Sequence, residues 1–132
     1  MQETKIRYEG GKRFVAQNKG HNITIDQPKE FKGSDQGPTP SEIFIDSIGA
    51  CIGMYVISYC KSVGFNAEGL TISINWEKEL KEKPYHIKNI DVKINLPKAD
   101  IGARKAALLK VAESCLIHQT IKLSSPVHID LI

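Results

Sequence analysis

The stretch GPTPSEIFIDSIGACIGMYVISYC, residues 37–60, begins as a loop and continues as an apolar helix that carries two cysteines. Thr39 and Glu42 have the spacing of a capping box, in which each side chain accepts the other residue's backbone N–H. Pro40 between them suits the first helical position. We therefore predict a helix that begins at Pro40 and ends at Val63, where a glycine follows.

This helix is apolar on nearly every side from Ile43 to Cys60. Such a run is long enough to cross a membrane, but Asp46 would be costly in lipid, and alternating polar residues occupy the flanking strands. A helix that is apolar all round is otherwise buried. One small subunit offers limited cover for both sides of it. We therefore expect a homodimer that does not bind a membrane.

The remaining segments predict an α+β fold with a single domain over residues 1–132. Glycines at EGG and NKG separate three short strands, and a second hairpin and a second helix follow the long helix. The predicted strands cover residues 3–8, 12–17, 21–26, 71–80 and 85–97, the second helix covers 99–115, and a last strand covers 125–132.

The composition limits the function classes. The chain has 41% hydrophobic and 25% charged residues, and a net charge of +3 that is not gathered into a basic run. Nucleic acid is therefore not an expected partner. The N-terminus lacks an apolar signal segment, so the expected location is cytoplasmic. Three cysteines without a CxxC pair or a Cys/His cluster match neither a disulfide framework nor a metal site, and no cofactor is expected.

Helical geometry predicts the surroundings of Cys51. At 100° per residue, its side of the helix also carries Phe44, Ile48, Met54 and Tyr55. These residues would form an apolar pocket around the thiol. Buried cysteines often serve only as small hydrophobes, and a reactive thiolate here would need a nearby cation. The residues alone therefore leave a packing role for Cys51 open.

Cys60 lies half a turn out of phase with Cys51 on the same helix. The two thiols therefore face opposite ways and cannot form a disulfide within one helix. Cys60 is interpreted as a packing residue of the core.

Three motifs resemble those of the OsmC/Ohr family of osmotically inducible and organic hydroperoxide resistance proteins. They are GPTPSEIFIDSIGAC at 37–51, GGKRF at 10–14 and ESCLIH at 113–118. Their order along the chain also agrees with the family. The resemblance implies an OsmC-like fold, in which antiparallel sheets pack around two helices, the first long, buried and cysteine-bearing, in an intertwined homodimer.

The resemblance also implies a thiol peroxidase, and the apolar pocket around Cys51 would favour bulky organic hydroperoxides over hydrogen peroxide as its substrates. Cys51 would attack the peroxide and become a sulfenic acid, and Cys115 would condense with it to a disulfide. An external dithiol, such as a lipoylated protein, would then reduce this disulfide. Cys115 is expected at the C-terminal end of the second helix, where the helix dipole disfavours a thiolate, so it is the poorer nucleophile.

Arg13 and Glu42 match the family's arginine and glutamate, an ion pair beside the reactive thiol. Glu42 is half a turn out of phase with Cys51, so it reaches the site only if the helix bends near 47–49 or if it serves the partner subunit. Its capping role is a complete structural explanation by itself. Arg7 is the alternative for the arginine.

Two departures from the family pattern leave other functions open. Leu116 replaces the proline that usually follows the second cysteine, and Ser41 occupies the place of the glutamate in the hydroperoxide-resistance branch. The alternatives are a non-enzymatic redox-sensing or small-molecule-binding dimer, and a structural dimer whose cysteines only pack.

Overall fold

A computed structural model describes residues 1–132. The fold is α+β, with two small antiparallel sheets and three α-helices, as the sequence predicts. The chain forms two compact units, Met1–Ile45 and Asp46–Ile132, which are described separately below. The single domain over the whole chain stays a prediction.

The first unit contains a three-stranded antiparallel sheet in the order β1-β2-β3. Glycines with positive φ form both turns, Gly10 and Gly11 in the first and Gly20 in the second, because this backbone conformation is costly for other residues. The three predicted strands are confirmed, with the bounds Lys5–Tyr8 for β1, Phe14–Asn18 for β2 and His21–Ile25 for β3.

A buried carboxylate holds the loop that follows β3. Asp26 is 1% exposed, and its two oxygens accept backbone N–H groups from Gln27, Ser34 and Gln36. Burial alone would raise the pKa of Asp26, but these hydrogen bonds and the charge of Arg13 lower it below its ordinary value. The loop includes a short 3₁₀ turn and leads to the first helix.

The helix α1 runs from Pro40 to Val63, as predicted. Its capping box is confirmed: a carboxylate oxygen of Glu42 accepts the Thr39 N–H at 2.7 Å, and the Thr39 hydroxyl accepts the Glu42 N–H at 3.2 Å. Gly64 follows with φ +77°, the left-handed conformation common after helix ends.

By length and composition, α1 is the one helix that could cross a membrane, with a mean hydropathy of 1.6 over its most apolar window. Only 28% of that window is buried within the chain. A core helix of a soluble protein passes the same test, so this finding is weak support for a membrane span. The low burial leaves much of the apolar helix surface uncovered by its own chain.

The second unit contains a two-stranded antiparallel hairpin of β4 (Thr71–Glu79) and β5 (His86–Asn95). Alternate residues of β4 are partly buried, which confirms the predicted alternation. An added Cβ at Gly49 would lie 3.2 Å from the Ile74 Cδ1 atom, and one at Gly53 would lie 3.3 Å from the Ile72 Cδ1 atom. These two glycines of α1 therefore give β4 room to pack closely against the helix.

The predicted second helix is divided in the structure. A 3₁₀ turn, Gly102–Arg104, leads into α2 (Lys105–Glu113), and a separate helix α3 (Leu116–Lys122) begins immediately after Cys115. The chain turns at Ser114 and Cys115, where the backbone leaves the helical conformation.

The predicted last strand is wrong for the isolated chain. Residues 125–132 form no strand, and their apolar side chains Val127, Ile129 and Leu131 are almost fully exposed. A strand requires a neighbouring strand to receive its backbone hydrogen bonds, and no strand of this chain pairs with the segment.

Candidate active site

The middle of α1 carries Cys51, a free and half-buried thiol. Ile48, one turn before it, and Ile52, directly after it, are both buried in the second unit. The sulfur therefore stands at the margin of an apolar core and retains partial access to solvent.

Cys115 is the N-cap residue of α3 rather than the end of a longer helix. Its sulfur accepts the backbone N–H of His118 at 3.3 Å. Cys115 thus directly follows the C-cap of α2, near a helix C-terminus as predicted, but its sulfur also occupies the N-terminal end of a new helix. The break at Ser114 was not predicted, because no local sequence signal marks it.

The structure brings the Cys51 and Cys115 thiols into hydrogen-bonding contact, and both are free. Burial raises the pKa of the Cys115 thiol above its ordinary value, and this outweighs the His118 N–H, which lowers it. Cys51 raises the same pKa further, through its hydrogen bond and its charge. The Cys115 thiol is therefore held in its protonated form at neutral pH.

Cys60 is fully buried. Burial also raises the pKa of its thiol above the ordinary value. A sulfur without solvent access is poorly placed to react with a diffusing oxidant.

A cavity of about 400 Å³ adjoins the segments that carry Cys51 and Cys115. Ile48 and Ile52 of α1 line it, as does Ala112, which lies one turn before Cys115. The other lining residues come from β5, α2 and α3, and are Ile90, Val92, Ile94, Leu109, Glu113, His118 and Ile121. The lining is apolar apart from Glu113 and His118.

Of the four residues predicted to form a substrate pocket, only Ile48 lines this cavity. Met54 is 69% exposed, and Phe44 and Tyr55 lie at the surface of the chain. These three side chains therefore belong to the apolar surface of α1.

Arg13 and Glu42 both belong to the first unit, and the structure forms no ion pair between them. The Arg13 guanidinium donates to the Glu9 carbonyl at 3.2 Å, and the Glu42 carboxylate accepts the Thr39 N–H of the capping box. Arg7, the alternative arginine, pairs with the Glu9 carboxylate at 3.2 Å.

No group of three or more His, Cys, Asp or Glu side chains in the chain could hold a metal ion.

The sequence pattern of the OsmC-like protein family matches residues 33–130, which is most of the chain and includes both Cys51 and Cys115. The chain belongs to the OsmC-like family. A comparison with curated proteins found no match to this OsmC-like sequence.

Solved structures with the same fold include several proteins of this family. A candidate osmotic stress induced and detoxification response protein from Psychrobacter arcticus is 16% identical, with a TM-score of 0.80 over 91% of this chain and 88% of that chain. An organic hydroperoxide resistance protein OsmC from Legionella pneumophila is 13% identical, with a TM-score of 0.69 over 92% and 90%. An OsmC-like protein from Mycoplasma pneumoniae is 15% identical, with a TM-score of 0.73 over 91% and 86%. At these sequence identities, the comparison with solved structures shows a shared fold only.

Sequence reasoning missed two features of the site in this OsmC-like chain. The first is the cavity, since it depends on side chains from α1, β5, α2 and α3 that meet only after folding. The second is His118, to which the sequence alone assigned no role. No local sequence signal marked it, because its place beside Cys115 depends on the new helix that begins after the break at Ser114.

Proposed function

We propose that this OsmC-like protein is a thiol-dependent peroxidase that reduces organic hydroperoxides to alcohols. The observation that carries the proposal is the contact between two free thiols, the partly accessible Cys51 and the buried Cys115. A packing role requires neither this pairing nor the difference between the two environments.

In the first step, the Cys51 thiolate attacks the terminal peroxide oxygen. The O–O bond breaks, an S–O bond forms, and the alkoxide takes a proton and leaves as the alcohol. Sulfur loses two electrons and Cys51 becomes a sulfenic acid. Its partial exposure admits the oxidant, whereas Cys115 is fully buried.

In the second step, the Cys115 sulfur attacks the Cys51 sulfenic sulfur. An S–S bond forms, the S–O bond breaks, and the oxygen leaves as water with the Cys115 proton. Because the thiols are already in contact, this step requires little chain movement and limits over-oxidation of Cys51. An external dithiol, such as a lipoylated protein, then returns two electrons by thiol–disulfide exchange.

The cavity supports an organic rather than an inorganic peroxide. Its apolar lining can take up the hydrocarbon part of a substrate, and apolar burial contributes roughly 25 cal/mol per Å² to binding. Hydrogen peroxide gains none of this contribution, so we expect it to be the poorer substrate.

Thiol counting after one equivalent of cumene hydroperoxide tests this function. The wild type should lose two thiols per chain, and mass spectrometry should find a Cys51–Cys115 link. Cys115→Ser should lose one thiol and accumulate a Cys51 sulfenic acid that dimedone traps. Cys60→Ser is the matched control, since it removes a buried thiol outside the pair and should still form the link.

The Cys51→Ser variant should lose no thiol, because a hydroxyl does not attack the O–O bond under these conditions. Loss of a single thiol in the wild type, without a disulfide, would favour a redox sensor. No loss at all would leave the cysteines with a packing role.

A further inference from the structure

His118 connects the second cysteine to the cavity. Its backbone N–H donates to the Cys115 sulfur at 3.3 Å, and its imidazole ring begins three covalent bonds from that nitrogen. His118 also lines the cavity, together with Ile48 and Ile52, which flank Cys51 on α1. His118 therefore contacts the Cys115 sulfur, which attacks in the proposed disulfide step. It also lines the space beside the α1 segment that carries Cys51, whose sulfur is attacked.

The imidazole of His118 is not committed to another structural role. No other residue of the chain hydrogen-bonds to its nitrogens, and neither nitrogen is buried without a partner. The imidazole nitrogens are thus free to exchange protons with groups or water in the cavity.

We propose that the His118 imidazole transfers the proton in the step that joins Cys115 to Cys51. The inference rests on the proposed peroxidase function and adds a residue to its second half. The imidazole accepts the proton of the Cys115 thiol as its sulfur attacks. It then delivers this proton to the oxygen that leaves the Cys51 sulfenic acid, so that the oxygen departs as water and histidine is unchanged.

The chemistry of Cys115 explains why such a group is required. Only the thiolate is an effective nucleophile, whereas burial and the neighbouring Cys51 raise the pKa of Cys115 and keep it protonated. A hydroxide ion is also a poor leaving group unless it is protonated. A single group that accepts one proton and returns it removes both obstacles, and imidazole does both near neutral pH.

Glu113 is the other polar residue at the cavity, but it is less suited to this role. Its side chain is exposed at the C-terminal end of α2, whereas His118 is half-buried. His118, in contrast, is joined to the sulfur through its own amide.

The test separates the two half-reactions in rapid mixing with one equivalent of cumene hydroperoxide. Formation of the Cys51 sulfenic acid is followed by dimedone trapping, and formation of the Cys51–Cys115 disulfide by mass spectrometry of quenched samples. In His118→Ala, the sulfenic acid should form at the wild-type rate and the disulfide about 100-fold more slowly, the low end of the general acid–base contribution. Added imidazole should restore part of the rate of disulfide formation.

Two further variants distinguish the loss of proton transfer from a structural effect of the substitution. His118→Gln keeps a polar side chain of similar length that cannot carry the proton, so its disulfide should form as slowly as that of His118→Ala. It also provides the test if the alanine variant folds poorly. His86→Ala removes an exposed histidine of β5 and should leave both rates unchanged.

Disulfide formation at the wild-type rate in both His118 variants would overturn the inference. So would slow formation that imidazole does not accelerate in a folded His118→Ala protein, since that result indicates a packing role. Failure of the peroxidase proposal looks different, because the wild type itself would then form neither sulfenic acid nor disulfide.

Discussion

The three cysteines have the same side chain but different surroundings. Cys51 is half-buried, Cys115 is buried at a helix N-terminus against Cys51, and Cys60 is buried without either neighbour. Because reactivity follows thiolate character and access, these surroundings assign attack to Cys51 and resolution to Cys115 in the proposed reaction. They leave Cys60 a packing residue.

Two arginines, Arg7 and Arg13, are the candidates for the cation that would stabilise a Cys51 thiolate. Arg7 is engaged in an ion pair with Glu9, whereas Arg13 pairs with no carboxylate within ion-pair distance. We therefore propose Arg13, the match to the family arginine. An opposite charge within a few ångströms favours the ionised form by about tenfold or more.

We expect Arg13→Ala to slow the alkylation of Cys51 by iodoacetamide at neutral pH by about tenfold or more, because this variant lacks the proposed cation. Arg13→Lys should recover only part of the rate, since it lacks the planar fork of arginine. Arg7→Ala is the matched control and should alkylate normally. Normal alkylation of Arg13→Ala together with slow alkylation of Arg7→Ala would transfer the role to Arg7.

At the scale of elements, the β4–β5 hairpin carries an ion pair near its turn. The Lys88 ammonium donates to the Glu79 carboxylate at 2.6 Å. This bond and the backbone N–H groups of Lys81 and Glu82 lower the pKa of Glu79 from 4.5 to about 2. A carboxyl whose pKa is lower in the folded protein stabilises the fold above its ordinary pKa, and this stabilisation is lost as the pH falls through the folded value.

The Glu79→Gln variant should therefore melt a few degrees below the wild type at pH 7, a small effect because the pair is partly exposed. The difference should shrink below pH 4.5, be small near pH 2 and vanish below it, where the wild-type carboxyl is protonated too. Thermal unfolding followed by circular dichroism at several pH values measures it. Glu82→Gln, which removes a carboxylate without an ion pair, should show no such dependence, and a constant difference down to pH 2 would contradict the assignment.

At the scale of the whole molecule, the isolated chain leaves large apolar surfaces uncovered. Met54 of α1 is 69% exposed, and the C-terminal segment exposes apolar residues at alternate positions, the pattern of a strand without a partner. Monomeric soluble proteins rarely expose contiguous apolar patches of this kind. We propose that a second copy of the chain covers them in a homodimer.

Analytical ultracentrifugation at micromolar concentration, without detergent, should give about twice the chain mass of 14.7 kDa. Met54→Glu should weaken the dimer at least tenfold, because it places a charge where burying a methionine side chain contributes about 1.5–3 kcal/mol. Lys61→Glu, a charged substitution at an exposed polar position of the same helix, should leave the mass unchanged. A folded wild-type monomer would overturn the proposal, and detergent-dependent solubility would favour a membrane span.

The sequence by itself determined the elements whose signals are local. Turn glycines placed the first three strands, alternation placed the next two, and the capping box and Gly64 placed both ends of α1, because these signals depend on residues a few positions apart. The three ordered motifs indicated the family. Only the tertiary structure could decide which groups meet. The contact of Cys51 with Cys115, the cavity and the place of His118 all join residues from separate elements. The break at Ser114 and the unpaired C-terminal segment also depended on packing and pairing partners, which no local pattern contains.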